Sequence, residues 1–339
     1  MTTPHHNRNS LQGSTIDVHN HVGCSIKNLA RLEFPYAATV EGIVYRQRAC
    51  GVDVSVVFPL APDLYFEPTA LIEGRMVPAA NPLCPAPYAA ENAMVLYEVY
   101  RFCPELRDRL LPFLCIHPGH AVAAQLKALR RLSSEYPIYG IKVSPILCQT
   151  PALALQQEGR PLMDFIAERG WPILFHTVCD RTEGYSYAED IFRIIETYPG
   201  LRFCLAHCIG FNKALLDRAD TAPNVWVDSS ALKIQVDLAC AQSPIVAGPK
   251  ERIDADYSDH RLVMRALAEQ YPNTIVWGSD TPAYAYVVRR RQSEEGTFED
   301  FRLKGTYEDE KAALDILAPE SRQRVSNTNT LNFLFGPQA

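Results

Sequence analysis

His19 and His21 stand two residues apart at the end of the run Thr15-Ile16-Asp17-Val18, and His176, His207 and Asp280 each close another apolar run. In a strand, residues i and i+2 share a face. The two imidazoles of His19-Asn20-His21 can therefore reach one ion at about 2.0–2.1 Å each. The spacing alone says little, because nine histidines among 339 residues give such a pair in about one random shuffle in four. Position says more. Ile173-Leu174-Phe175 leads into His176, Cys204-Leu205-Ala206 into His207, and Trp277-Gly278-Ser279 into Asp280. Taken singly, each could be a structural polar group at a strand end. Taken together, nitrogen and carboxylate ligands delivered by four strand ends suit one divalent ion and metal-assisted chemistry on a small molecule.

Four strand ends can converge at one mouth if their strands belong to one closed sheet. The apolar runs supply eight candidates: 14–18, Val52–Phe58, Leu110–Ile116, Gly140–Val143, Trp171–Phe175, Leu201–Ala206, Asn224–Val227 and Thr274–Gly278. Runs such as Val54–Phe58 are apolar on both faces, as a doubly covered parallel sheet requires. Helical segments lie between most of them, at 40–50, 88–102, 121–134, 161–169, 187–198 and 260–271, with more helix after Tyr307. The expected fold is α/β, a single (β/α)8 TIM barrel over residues 15–339, with loop insertions at about 60–87 and 228–259. A doubly wound open sheet competes, but no GxGxxG follows the first strand and no Walker loop is present. Residues 1–14 are polar and read as a flexible tail, with His5 and His6 as solvated histidines.

Composition narrows the partners. Hydrophobic residues at 47% and charged residues at 21% fit a globular enzyme. A net charge of −6 offers no footprint for nucleic acid. No apolar stretch approaches the roughly 20 residues of a membrane span. Ten cysteines are scattered with no CxxC pair, several inside apolar runs, which suits a reduced, cytoplasmic protein. A small-molecule substrate is the expected partner, with a homodimer left open.

The motif set Ile-Asp-Val-His19-Asn-His21, Gly-Ile-Lys142-Val-Ser-Pro, Ile-Leu-Phe-His176, Leu-Ala-His207-Cys and Trp-Gly-Ser-Asp280-Thr-Pro resembles the amidohydrolase superfamily from Thr15 onwards. It is most similar to the amidohydrolase-related branch, which includes aminocarboxymuconate-semialdehyde and γ-resorcylate decarboxylases. The resemblance implies that His19, His21, His176 and Asp280 hold one divalent metal, Zn²⁺ first and Mn²⁺ or another ion as alternatives. It also implies catalytic roles for Asp280, as acceptor of a water's proton, and for His207, as acid/base. Lys142 stays open between a carboxylated bridge to a second metal, a cation facing substrate, and a structural ion pair.

Arg181 and Tyr185 after the fifth strand, Lys233 after the seventh, and Tyr284 and Arg289 after the eighth are candidate substrate-binding residues, with solvated loop positions as the plainer reading. His117 and His120 close the third strand, are claimed by no motif, and are candidates only for supporting groups behind the site. Metal-dependent hydrolysis of an amide, ester or lactone is the leading expectation. Non-oxidative decarboxylation of an aromatic or unsaturated acid uses the same ligands, and a non-catalytic binding barrel is the third possibility.

Overall fold

The computed structural model describes residues 6–291 and 298–338, with side chains for 6–287 and 302–338. Its strands are β1 (Ile16–Cys24), β2 (Ala37–Ala38), β3 (Val54–Pro59), β4 (Leu110–Ile116), β5 (Gly140–Val143), β6 (Ile173–Phe175), β7 (Phe203–Leu205), β8 (Val225–Asp228), β9 (Ile275–Val276), β10 (Ala285–Arg291) and β11 (Phe298–Lys304). β2 adds antiparallel to β1, while β1 and β3 to β9 run parallel in sequence order. The segment after β9 closes the ring against β1. Val18 donates to Trp277 O at 3.1 Å, Asp280 to His19 O at 2.9 Å and His21 to Thr281 O at 2.6 Å. The expected (β/α)8 barrel is the fold, its strands covered by helices such as Val40–Cys50, Val122–Glu135 and Ala188–Thr197. Closure needs a glycine at 278, since a Cβ there would sit 2.9 Å from the His19 Cβ.

Alternate strand residues fill the barrel: Ile16 and Val18, Val56 and Phe58, Leu111, Phe113 and Cys115, Leu174, Cys204, Trp226 and Val276 form one buried cluster. In β1 the alternation breaks. Asp17 pairs with Ser55, but the next partners are Asn20 and Val57, so β1 carries one extra residue, a β-bulge. Asp17 and Ser55 face the helices, where they meet Tyr307 and Gln47. Beyond the bulge His21 pairs with Phe58, an inward residue. The extra residue is what swings His19 and His21 into the barrel.

Asp17 holds that bulge. Its Oδ1 accepts from the His19 N–H at 3.1 Å and the Ser279 N–H at 2.9 Å, and its Oδ2 accepts from the Tyr307 hydroxyl at 3.2 Å. One carboxylate thereby ties β1, the segment after β9 and the helix Tyr307–Asp315 together.

Several expectations change. Residues 6–14, expected as a tail, pack against the barrel: Leu11 is 2% exposed, and Arg8 donates to Gly336 O at 2.5 Å and Asn332 Oδ1 at 2.8 Å. His6 is buried, its N–H donating to the Tyr139 hydroxyl at 3.0 Å, and His5 lies outside the described residues. The insertion at 60–87 contains a 3-10 turn, Asp63–Tyr65, and a helix, Pro68–Ile72. The stretch at 228–259 contains the helix Leu232–Cys240, whose apolar residues at 232, 234, 236 and 238 alternate like a strand because the helix is buried on opposite sides. The hairpin β10–β11, between β9 and Tyr307, has no counterpart in the expected elements.

Candidate metal centre

His19 and His21 leave β1 side by side, and Asp280 meets them from the segment after β9. Both histidine Nε2 atoms lie 3.2 Å from Asp280 Oδ1, and one ligand atom from each residue falls within 4.8 Å of the others. Asp280 adopts a left-handed backbone, φ 64°, which the closing bonds to β1 hold in place.

Asp228, at the end of β8, decides the state of His19. Its Oδ2 lies 2.9 Å from His19 Nδ1, so that nitrogen carries the proton and Nε2 presents a lone pair. Burial and the charge of Lys142 press the His19 pKa down to about 4 against the pull of Asp228 and Asp280. Burial likewise lowers His21. For Asp280, burial would raise the pKa, yet the surrounding histidines outweigh it and hold the carboxyl well below its ordinary range. Neutral imidazoles beside an ionised carboxylate are the protonation states that metal ligands require.

The donor set also fits a cation. Asp280 Oδ1 is buried and takes no directed hydrogen bond, although two imidazole nitrogens face it. The Lys142 ammonium, 3.3 Å from His19 Nε2, meets that lone pair from one side, while Asp280 Oδ1 opposite it is left without a donor, an arrangement that a cation between them would satisfy. Two nitrogens and one oxygen are ligands that Zn²⁺ accepts, with a position to spare.

His207 begins a left-handed turn, His207–Phe211, with φ between 48° and 64° at every residue. Left-handed non-glycine residues cost about 1–2 kcal/mol each, and Asp228 anchors the turn by accepting the His207 N–H at 3.1 Å. His207 Nδ1 lies 3.2 Å from Ser230 O and 3.0 Å from Ser230 Oγ, whose own proton goes to Asp228. Nδ1 is then the donor, and Nε2 accepts from His176 Nδ1 at 2.9 Å. This leaves His176 Nε2 as a lone pair. His176 thus has a ligand's tautomer and lies in electrostatic range of His19 and Asp280, but it stands outside the three-residue cluster.

Above these groups opens a cavity of about 310 Å³, lined by His21, His176, His207 and Asp280 and walled by residues including Leu60, Ile146, Leu147 and Tyr286. The proposed substrate-binding set largely lies elsewhere. Lys142 is 1% exposed and sits below the cluster, with Nζ 3.3 Å from His19 Nε2 and above the Phe58 ring, so it does not line the cavity. Burial lowers its pKa to about 8. Arg181 bonds the Tyr187 hydroxyl at 2.8 Å and lines a separate cleft with Lys250 and Glu251. Lys233 pairs with Asp237 at 2.9 Å. Tyr284 packs near Tyr307, Tyr185 uses its carbonyl to accept from Ala152, and the Arg289 side chain lies outside the described residues. His117 and His120 approach each other with ring centres 5.2 Å apart, near Phe66 and away from the cavity.

Asp228 is the main residue that the sequence reading passed over. It ends its apolar run as His176, His207 and Asp280 end theirs, so the same strand-end signal marks it. Asp17 was visible in Ile-Asp-Val-His19, but its role depends on a bulge that sequence alone does not reveal.

Residues 67–333 match the family profile described as Amidohydrolase. A search of curated proteins gives no match. Among solved structures, the chain is similar to a probable 2-pyrone-4,6-dicarboxylic acid hydrolase from Acinetobacter baumannii with citric acid bound, at 15% identity and TM-score 0.55, covering 95% of this chain and 99% of that one. It is similar to 5-carboxyvanillate decarboxylase from Sphingomonas paucimobilis, at 11% identity and TM-score 0.55, covering 95% and 98%. A Burkholderia multivorans amidohydrolase with bound zinc gives 12% identity and TM-score 0.57, covering 95% and 99%. Identities this low speak to the fold, which all three share. With the profile spanning most of the barrel and HxH, Lys, His, His and Asp in place along its strands, the chain belongs to the amidohydrolase family.

Proposed function

We propose that the protein is a metal-dependent hydrolase of a small-molecule C–N or C–O bond, in an amide, ester or lactone. One observation carries the reading: the buried Asp280 Oδ1, without a directed donor, faces the Nε2 atoms of His19 and His21 at 3.2 Å at the edge of the cavity. His19, His21 and Asp280 would hold the ion, with His176 Nε2 as the available fourth ligand. A divalent ion there supplies Lewis-acid polarisation and lowers the pKa of a water towards about 7.

The chain's own groups do the rest. Asp280, kept ionised, takes the proton of the attacking water. The proton that Asp280 takes passes to the leaving group by way of His207, whose Nδ1 is anchored on Ser230 and whose Nε2 lone pair, turned to the side of the cavity where His176 lies, receives it first. Lys142 keeps positive charge beneath His19 and opposes its protonation.

Decarboxylation of an aromatic or unsaturated acid is the second reading. The apolar walls favour it, because a carboxylate moved out of water among Leu60, Ile146 and Leu147 loses its hydration. Incubating zinc-loaded protein with lactones, amides and hydroxybenzoates, with products followed by mass, separates the two. Gain of one water supports hydrolysis and release of CO₂ supports decarboxylation. His207→Gln is expected to lower turnover about 10²–10⁴-fold, and full turnover in that variant would remove His207 from the reaction.

A further inference from the structure

Among the described residues, Lys27 lines the cavity without a counter-ion. It lies in the short helix Ile26–Ala30 that follows β1, and it is half-buried. Its position is fixed by bonds that leave the ammonium unused. Asp63 Oδ2 accepts from the Lys27 N–H at 2.9 Å and from the Ser25 hydroxyl at 2.9 Å, while Ser25 Oγ accepts from the Asn28 N–H at 3.1 Å. Among the described residues no carboxylate pairs with the Lys27 ammonium, and Lys27 is the only lysine or arginine lining this cavity. Its charge extends to the helix Pro145–Cys148 after β5: burial pushes the Cys148 thiol up to about 12, and the Tyr88 hydroxyl and Lys27 pull it partly back.

The other candidate cations are engaged elsewhere, Arg181 with Tyr187, Lys233 with Asp237 and Lys142 with His19. Among the described residues nothing but water is left to partner the Lys27 ammonium in a cavity that Leu60, Ile146 and Leu147 also line. An anion in the cavity would replace it, and a point charge on a flexible stem suits a single carboxylate.

We propose that Lys27 anchors the substrate, and that the substrate is a small apolar or aromatic molecule carrying a carboxylate at a distance from the bond that reacts. The proposal rests on the reading of this cavity as the active site. It gives the cavity two poles, the His19–His21–Asp280 cluster and the Lys27 ammonium, with apolar walls between them.

Benzoate and its neutral analogue benzamide test this by calorimetric titration of the zinc-loaded protein. Wild type is expected to bind benzoate at least about tenfold more tightly than benzamide, the range of one charge-assisted hydrogen bond. Lys27→Met and Lys27→Gln are expected to lose that preference while keeping the benzamide affinity, zinc content and melting temperature of wild type. No preference in wild type overturns the proposal. So does a preference retained in both variants, which would assign the carboxylate to the metal. Zinc content of His21→Ala reports separately on the metal reading: zinc retained there sinks that reading and leaves the benzoate comparison standing.

Discussion

Asp228 points no atom into the cavity, yet it sets the protonation of His19 through Nδ1 and the backbone of His207 through its N–H. One carboxylate therefore prepares both a ligand and the base that relays a proton. Groups of this kind typically contribute 10–100-fold to metal affinity. Asp228→Ala is expected to weaken zinc binding by about that factor, measured by competition with a chromophoric chelator, while His19 itself stays intact. An unchanged zinc affinity would mean that the Asp228 contact only packs β8 against β1. The strand-end signal that marks His176, His207 and Asp280 marks Asp228 equally, so it was legible in Val225-Trp226-Val227-Asp228. Lys27 was not legible, because nothing in Ser25-Ile26-Lys27-Asn28 shows that the helix after β1 folds over the cavity. The distant cations Arg181 and Lys233 carried as strong a sequence signal as Lys27, and partners on their own loops or helices claim them.

The element that matters most is β1, because its bulge sets the direction of the HxH pair. The i, i+2 rule correctly puts His19 and His21 on one face, but it cannot say which face, and without the extra residue the pair would follow Asp17 towards the helices. Asp17 satisfies the His19 and Ser279 N–H groups that the bulge and closure would otherwise leave buried and unpaired. Asp17→Ala is expected to cost about 2–6 kcal/mol in chemical denaturation, two orphaned backbone donors at about 1–3 kcal/mol each, and to release zinc. Asp17→Asn keeps an acceptor oxygen and should retain most of both, since burial already raises the Asp17 pKa to about 6. Zinc bound at full affinity by Asp17→Ala would show that the bulge holds without it. Most strands were legible because they are apolar on both faces. The helix Leu232–Cys240 was not, because burial on opposite sides gave it a strand's alternation.

At the scale of the whole molecule, the barrel is sealed at its N-terminal end by the chain's own ends. Leu11 packs with Ile16, Leu331 and Phe333, and Asn327 Nδ2 donates to the carbonyls of Leu11 and Ser14 at 2.9 and 2.7 Å. Leu11→Ala is expected to cost about 2–4 kcal/mol of stability by cavity formation, with zinc content unchanged, and a melting curve like that of wild type would refute this. Stability should also depend on pH through Glu91, whose pKa burial raises from 4.5 to about 7. The folded state then holds this proton more tightly than the unfolded state, so the group's penalty is absent below about pH 4.5, grows as pH rises, and is complete above about pH 7. Glu91→Gln keeps the acceptor for the Leu64 N–H and should melt higher than wild type at pH 8 but not at pH 4.5, and a gap independent of pH would contradict it. No helix among the described residues is long and apolar enough to cross a membrane. The central claim is that His19, His21 and Asp280 hold one divalent ion, and zinc stoichiometry by elemental analysis tests it most directly. After zinc loading and removal of excess, wild type is predicted to retain about one equivalent, and His19→Ala and Asp280→Ala well under half of that. Wild type without bound metal, or variants that hold as much zinc as wild type, would contradict the account.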